Sequence, residues 1–169
     1  MKHLFQPIDL ELVDKSPFQL IGKDWMLVTT SKGEKVNTMT ASWGGFGVMW
    51  GKDVVYIVIR ESRFTKEYLD DSNTFSLTFF ENPPRGELKY LGAVSGRDED
   101  KIANAKLEVD WDDGTAYIGD GNLVLICRKL SATPITDETI LDKNIIEKCY
   151  PDGDYHTLYF GEIIKVLAR

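Results

Sequence analysis

The sequence predicts a mainly β fold, a closed or nearly closed barrel with short helices between its strands. Three features lead there. Val54 to Ile59 is an unbroken β-branched and aromatic run, the pattern of a strand covered on both faces. Thr74 to Phe79 alternates hydroxyl side chains with Phe or Leu, which sends the large groups inward and the hydroxyls outward. No long amphipathic helix alternates with the strands, which argues against a doubly wound α/β sheet.

Each element has a local cause. A polar, extended lead-in precedes a strand from Trp25 to Thr30, and Ser31 to Lys35 is its turn. Val36 to Trp43 is a second strand that runs into Gly44, Gly45, Gly47 and Gly51. After the Val54–Ile59 strand, Phe64, Tyr68 and Leu69 share one face of a short helix, with Ser62 placed to cap it. Pro83 and Pro84 stop the chain and open a helix carrying Leu88 and Leu91, which ends near Ser95-Gly96. Asp98, Glu99 and Asp100 put negative charge at the start of another short helix. Leu123 to Cys127 is a buried strand, Asp137 to Cys149 holds a turn or two of helix, and His156 to Leu167 is the final strand.

Composition bounds the function. The chain has 169 residues with 43% hydrophobic and 28% charged, an ordinary globular mixture without a linker or repeat, so residues 1–169 read as one domain. The net charge of −7 argues against nucleic acid as a bulk electrostatic partner. No apolar run approaches the roughly 18 residues of a membrane span, and the N-terminus lacks a signal-peptide core, so a cytoplasmic protein with no membrane partner is expected. Cys127 and Cys149 form no CxxC pair, and His3 and His156 lie at opposite ends, so no metal site is expected.

Chemistry concentrates at the junction from Ile59 to Thr65. A buried strand ends, Arg60, Ser62, Arg63 and Thr65 follow, and a helix begins. Helix starts present free N–H groups and partial positive charge, and arginines beside them add charge-assisted bonds to a phosphate. The same residues also describe a capped helix with solvated arginines. A second stretch, Asn37 to Gly45, alternates small hydroxyl groups with larger ones and ends in Trp43 and two glycines. Such an edge suits the rim and face of a planar heterocycle, or simply a threonine-rich strand with a core tryptophan. A third, Leu91 to Lys101, couples a Ser95-Gly96 turn to a helix start and a lysine, an anion- or carbonyl-binding arrangement or a plain C-cap. His156 is the one internal histidine and a candidate donor to cofactor or substrate.

In this order and spacing, the segments from about residue 20 to 167 resemble the flavin reductase-like family of FMN-binding split barrels, which includes the flavoredoxins. The motifs that carry the resemblance are Asp24 to Leu27, Asn37 to Gly45, Arg60 to Thr65, Ser95 to Lys101, and Asp154-Tyr155-His156 leading to Gly161-Glu162-Ile163. The resemblance implies a six-stranded antiparallel split β-barrel of Greek-key character, a homodimer with FMN near the interface. Carried over by position, Met39, Thr40, Ala41, Ser42 and Trp43 would line the flavin ring, with Asn37 in the same cofactor-binding set. Arg60, Ser62, Arg63 and Thr65 would hold the phosphate. Ser95, Gly96 and Lys101 would approach the ring or ribityl chain, with Lys101 at the N1/C2 edge, and His156 would take the catalytic position at the exposed face. Asp120-Gly121-Asn122 departs from the family's more acidic, alanine-containing segment. The implied activity is an NAD(P)H-dependent flavin reductase. The alternatives are a flavoredoxin-like carrier with a redox partner protein, and an FMN-binding module without turnover.

Overall fold

The computed structural model describes residues 4–169. His3 therefore lies outside the described residues. The described residues form ten strands and four α-helices. The short β1 (Gln6–Ile8) and a π-helical turn (Phe18–Asp24) occupy the stretch expected to be an extended lead-in. Trp25 then turns the chain with φ of 71°, so β2 (Met26–Lys32) starts one residue late. β3 (Lys35–Ala41) ends two residues before Trp43. The glycine-rich stretch is itself a strand, β4 (Gly44–Met49), paired antiparallel with β5 (Lys52–Arg60). Next come α1 (Phe64–Asp71), β6 (Thr74–Phe79), α2 (Arg85–Ala93), α3 (Lys101–Asn104) and the hairpin of β7 (Val109–Asp112) and β8 (Thr115–Ile118). The chain ends with β9 (Leu123–Pro134), α4 (Lys143–Cys149) and β10 (His156–Ala168).

The main sheet is antiparallel in the order β3-β2-β6-β9-β10-β5-β4, with β1 sharing the long β10. This is the split barrel that the resemblance implies, built from eight strands rather than six because short β1 and β4 extend it. Its interior is filled by one face of each strand. Met26, Val28, Val55, Ile57, Ile59, Phe75, Leu77, Leu125, Cys127 and Tyr159 form one buried cluster. Burial raises the Cys127 thiol above its usual range, so it stays a protonated core group. A second cluster, Leu27, Phe80, Leu88, Leu91 and Ile118, packs α2 against the outside of β2.

Two burial expectations are corrected. β5 is covered on its inner face, but on its outer face Val54 is buried while Tyr56 is 41% exposed. In β6 the hydroxyls do point away from the barrel, yet Ser76 and Thr78 are fully buried beneath the β7–β8 hairpin. Ser76 Oγ donates to the Ala116 carbonyl at 2.8 Å, which satisfies it there. Among the described residues, no helix is long and apolar enough to cross a membrane.

Candidate functional site

β3 is an edge strand, so past its pairing with β2 it offers free backbone donors and acceptors along its other side. Its C-terminal end opens a cleft of about 280 Å³. Met39, Thr40, Ala41, Ser42 and Trp43 form one wall, and Arg60, Arg63 and His156 face them. Val58 and Gly92 complete the lining. Eight sequence-derived candidates from three separate segments thus meet in one cavity. Not every side chain there is free: Thr40 Oγ1 donates to the Leu88 carbonyl at 2.5 Å and ties β3 to α2.

Trp43 is 47% exposed and lies against His156, ring centroids 5.1 Å apart. On its other side is a slot of about 350 Å³ walled by Phe18, Ile21, Phe46 and Tyr56. The close approach there requires Gly44, whose Cβ, if present, would sit 2.5 Å from the Tyr56 carbonyl oxygen.

At the β5–α1 junction the expected helix cap is corrected. Arg63 occupies the N-cap position without a capping side-chain bond. Ser62 instead donates from Oγ to Asp154 Oδ2 at 2.5 Å and from its backbone N–H to Oδ1 at 3.1 Å. An ionised carboxylate is the stronger acceptor, and it draws Ser62 away from the helix. Both arginines bond to neutral carbonyls. Arg60 donates to Asp154 O at 2.8 Å and Cys149 O at 3.1 Å, and Arg63 donates to Gly92 O at 2.8 Å. Burial lowers the Arg63 pKa, with Arg60 adding to the effect and Asp154 opposing it.

Arg63 also lines a smaller cavity of about 130 Å³, shared with Ser62, Thr65, Ser95, Arg97 and Lys101 at the start of α1. Lys101 is buried, and its Nζ donates to the Leu91 and Val94 carbonyls at 2.9 and 3.1 Å. Burial, and then the Arg63 charge, brings its pKa down to about 8. Lys101 therefore stands at this second cavity and does not line the Trp43 cleft. Thr65 Oγ1 accepts from Asn37 Nδ2 at 2.8 Å, a buried link between β3 and α1. A Cβ on Gly96 would meet Asn37 Oδ1 at 2.3 Å, so the α2–α3 loop reaches β3 only because that residue is glycine. Asn37 and Gly96 line a further cavity of about 330 Å³, which shares Phe64 and Lys101 with the second.

Tyr150 and Asp154 are the residues that sequence reasoning did not assign to the site. Tyr150 Oη lies 2.6 Å from His156 Nδ1, and Arg60 stacks over the Tyr150 ring at 5.2 Å. Burial, reinforced by Arg60, brings the His156 pKa down to about 4, with Asp154 opposing, so its ring is neutral at pH 7. The Asp154-Tyr155-His156 run was visible in the sequence. Tyr150 gave no signal, since its contact depends on the fold of the β9–β10 connection. Among the described residues, no cluster of His, Cys, Asp or Glu could hold a metal ion.

A family model for the flavin reductase like domain matches residues 19–169. Among solved structures, the chain is similar to an FMN-binding domain of a flavin reductases-like enzyme from Shewanella baltica, at 16% identity and TM-score 0.71. That match covers 99% of this chain and 78% of the other. A flavoredoxin from Methanosarcina acetivorans matches at 18% identity and TM-score 0.70, covering 96% and 76%. An NADH:FAD oxidoreductase from Streptomyces globisporus matches at 17% identity and TM-score 0.62, covering 86% and 75%. No curated protein sequence matches the chain.

Proposed function

The chain belongs to the flavin reductase-like family, and from that premise we propose that it is an FMN-binding oxidoreductase of the NAD(P)H:flavin reductase type. The observation that carries this reading is the gathering of Arg60, Arg63 and Lys101 at one junction of a chain whose net charge is −7. Their hydrogen bonds go to carbonyls, and among the described residues none of the three is ion-paired to a carboxylate by a direct contact. Asp154 acts on Arg63 only through space, so an anion there would be favoured. The α1 N-terminus, the Ser95 hydroxyl and these cations suit a phosphate monoester in the cavity of about 130 Å³. This assigns Lys101 to the phosphate end rather than to the ring edge.

The cleft next door fits the ring. Trp43 offers an aromatic face, the free edge of β3 offers backbone donors and acceptors to a heterocycle rim, and His156 closes the far side. When bound, the flavin supplies the redox chemistry, accepting electrons in pairs or singly. The protein's own part is to hold the phosphate, orient the ring and keep a neutral imidazole beside it.

The outer face of β4, β5 and β10 supports a homodimer. Trp50 is 57% exposed and Tyr56 41%, and both pack on Phe160, Trp50 edgewise and Tyr56 tilted. A contiguous aromatic patch of this kind is a protein-interaction surface. Light scattering is expected to give twice the chain mass, with Trp50→Asp shifting it towards the monomer.

A second reading, an electron carrier without nicotinamide turnover, draws on the likeness to a flavoredoxin. Steady-state oxidation of NADH and NADPH with added FMN separates the two. Turnover that needs the protein supports the reductase. Bound FMN that is reduced by a partner but not by either nicotinamide supports the carrier.

A further inference from the structure

We propose that Tyr150 is a positioning residue that fixes the proton of His156 on Nε2. It thereby presents a neutral imidazole N–H donor to a carbonyl or ring nitrogen of a heterocycle in the Trp43 cleft. The contact is buried on both sides, with Tyr150 and His156 each 7% exposed, and Oη lies 2.6 Å from Nδ1. A phenol has one proton to give, and a neutral imidazole has one acceptor nitrogen and one donor nitrogen. Burial keeps the Tyr150 hydroxyl protonated, and this contact is the hydrogen bond the hydroxyl makes. The imidazole lone pair is the better acceptor of the two, so the O–H donates to Nδ1 and the ring proton is left on Nε2.

The neighbours hold that arrangement in place. Arg60 grips the carbonyls of Cys149 and Asp154, on either side of Tyr150, and lays its guanidinium over the phenol ring. Tyr155 stacks on the same ring at 4.7 Å. Trp43 fixes the imidazole plane from the cleft side. The charged groups near His156 are Arg60, which disfavours a second positive charge, and Asp154, whose carboxylate is engaged by Ser62. His156 lines the cleft with Nδ1 already engaged, which leaves Nε2 for a ligand. Naming a flavin as that ligand rests on the reading above; the tautomer does not.

The chain's two histidines make the test direct. Long-range ¹H–¹⁵N correlation spectra of the full chain at pH 7, with His3→Ala for assignment, read the His156 tautomer. The expected result is a protonated Nε2 and a pyridine-type Nδ1. A proton on Nδ1 overturns the proposal. Tyr150→Phe keeps the ring and removes the hydroxyl, and is expected to give a tautomer mixture and a higher titration midpoint. A spectrum like the parent's overturns the assignment to Tyr150. Should that variant fail to fold, the parent tautomer decides alone. Added FMN that binds, read by fluorescence quenching, is expected to shift the Nε2 resonance. Binding without that shift overturns the donor role, whereas no binding at all overturns the flavin reading and leaves the tautomer result standing.

Discussion

The cleft on one side of Trp43 is lined by Arg60, Arg63 and His156, whereas the slot on its other side is walled by Phe18, Ile21, Phe46 and Tyr56 without a charged lining residue. Both are concave, both share Trp43 and Ser42, and the apolar slot is the larger, at about 350 Å³ against about 280 Å³. Size and aromatic walls alone would favour the slot. The charge beside the cleft, continued by Lys101 in the cavity behind Arg63, is what favours the cleft side for the anionic cofactor of the proposed function.

The comparison can be broken at Gly44, where the largest effect is expected. Gly44→Ala drives a methyl into the Tyr56 carbonyl and is expected to cost about 2–3 kcal/mol of stability by urea titration, displacing Trp43 from both cavities. Gly47→Ala in the same strand meets nothing within 4 Å and is the near-silent control. Arg60→Gln comes next. It releases the Cys149 and Asp154 carbonyls and is expected to cost about 1.5 kcal/mol while weakening FMN binding. An unchanged melting temperature would show that Arg60 does not latch the β9–β10 connection.

Trp43→Phe sharpens the comparison from the shared wall. It trims the aromatic face and is expected to weaken FMN by about 3- to 10-fold in a fluorescence titration, about 0.5–1.5 kcal/mol. The last effect is silent at pH 7 and shows only on acidification. The folded His156 pKa lies near 4, below the ordinary 6.5, so between those values the unfolded chain binds the extra proton. Stability contributed by the neutral ring is complete above about pH 6.5 and falls as pH drops towards 4. His156→Gln is expected to flatten that part of the urea-midpoint profile, and an unaltered slope would contradict the buried neutral imidazole.

Much of this was legible in the chain. Alternation in β6 and the apolar run of β5 gave the barrel, and the three segments whose candidates meet in the cleft were each marked by residue type and spacing. What stayed hidden depends on pairing partners. The glycines of β4 carry little β-propensity, and the strand forms because β5 offers it a ladder. Ser62 was misplaced because a local cap competes with Asp154, 92 positions away in sequence. Spacing also could not show that the Lys101 ammonium satisfies the Leu91 carbonyl of α2 and the Val94 carbonyl just past it.

The central claim is that the phosphate docks beside Arg63 while the ring rests on Trp43. Comparing FMN with riboflavin, in the parent chain and in Arg63→Gln, tests it most directly by isothermal titration. The account predicts that FMN binds the parent at least about tenfold tighter than riboflavin, and that Arg63→Gln removes most of that advantage while leaving riboflavin affinity unchanged. Equal affinity for both ligands in the parent, or a phosphate advantage that survives the substitution, would contradict it.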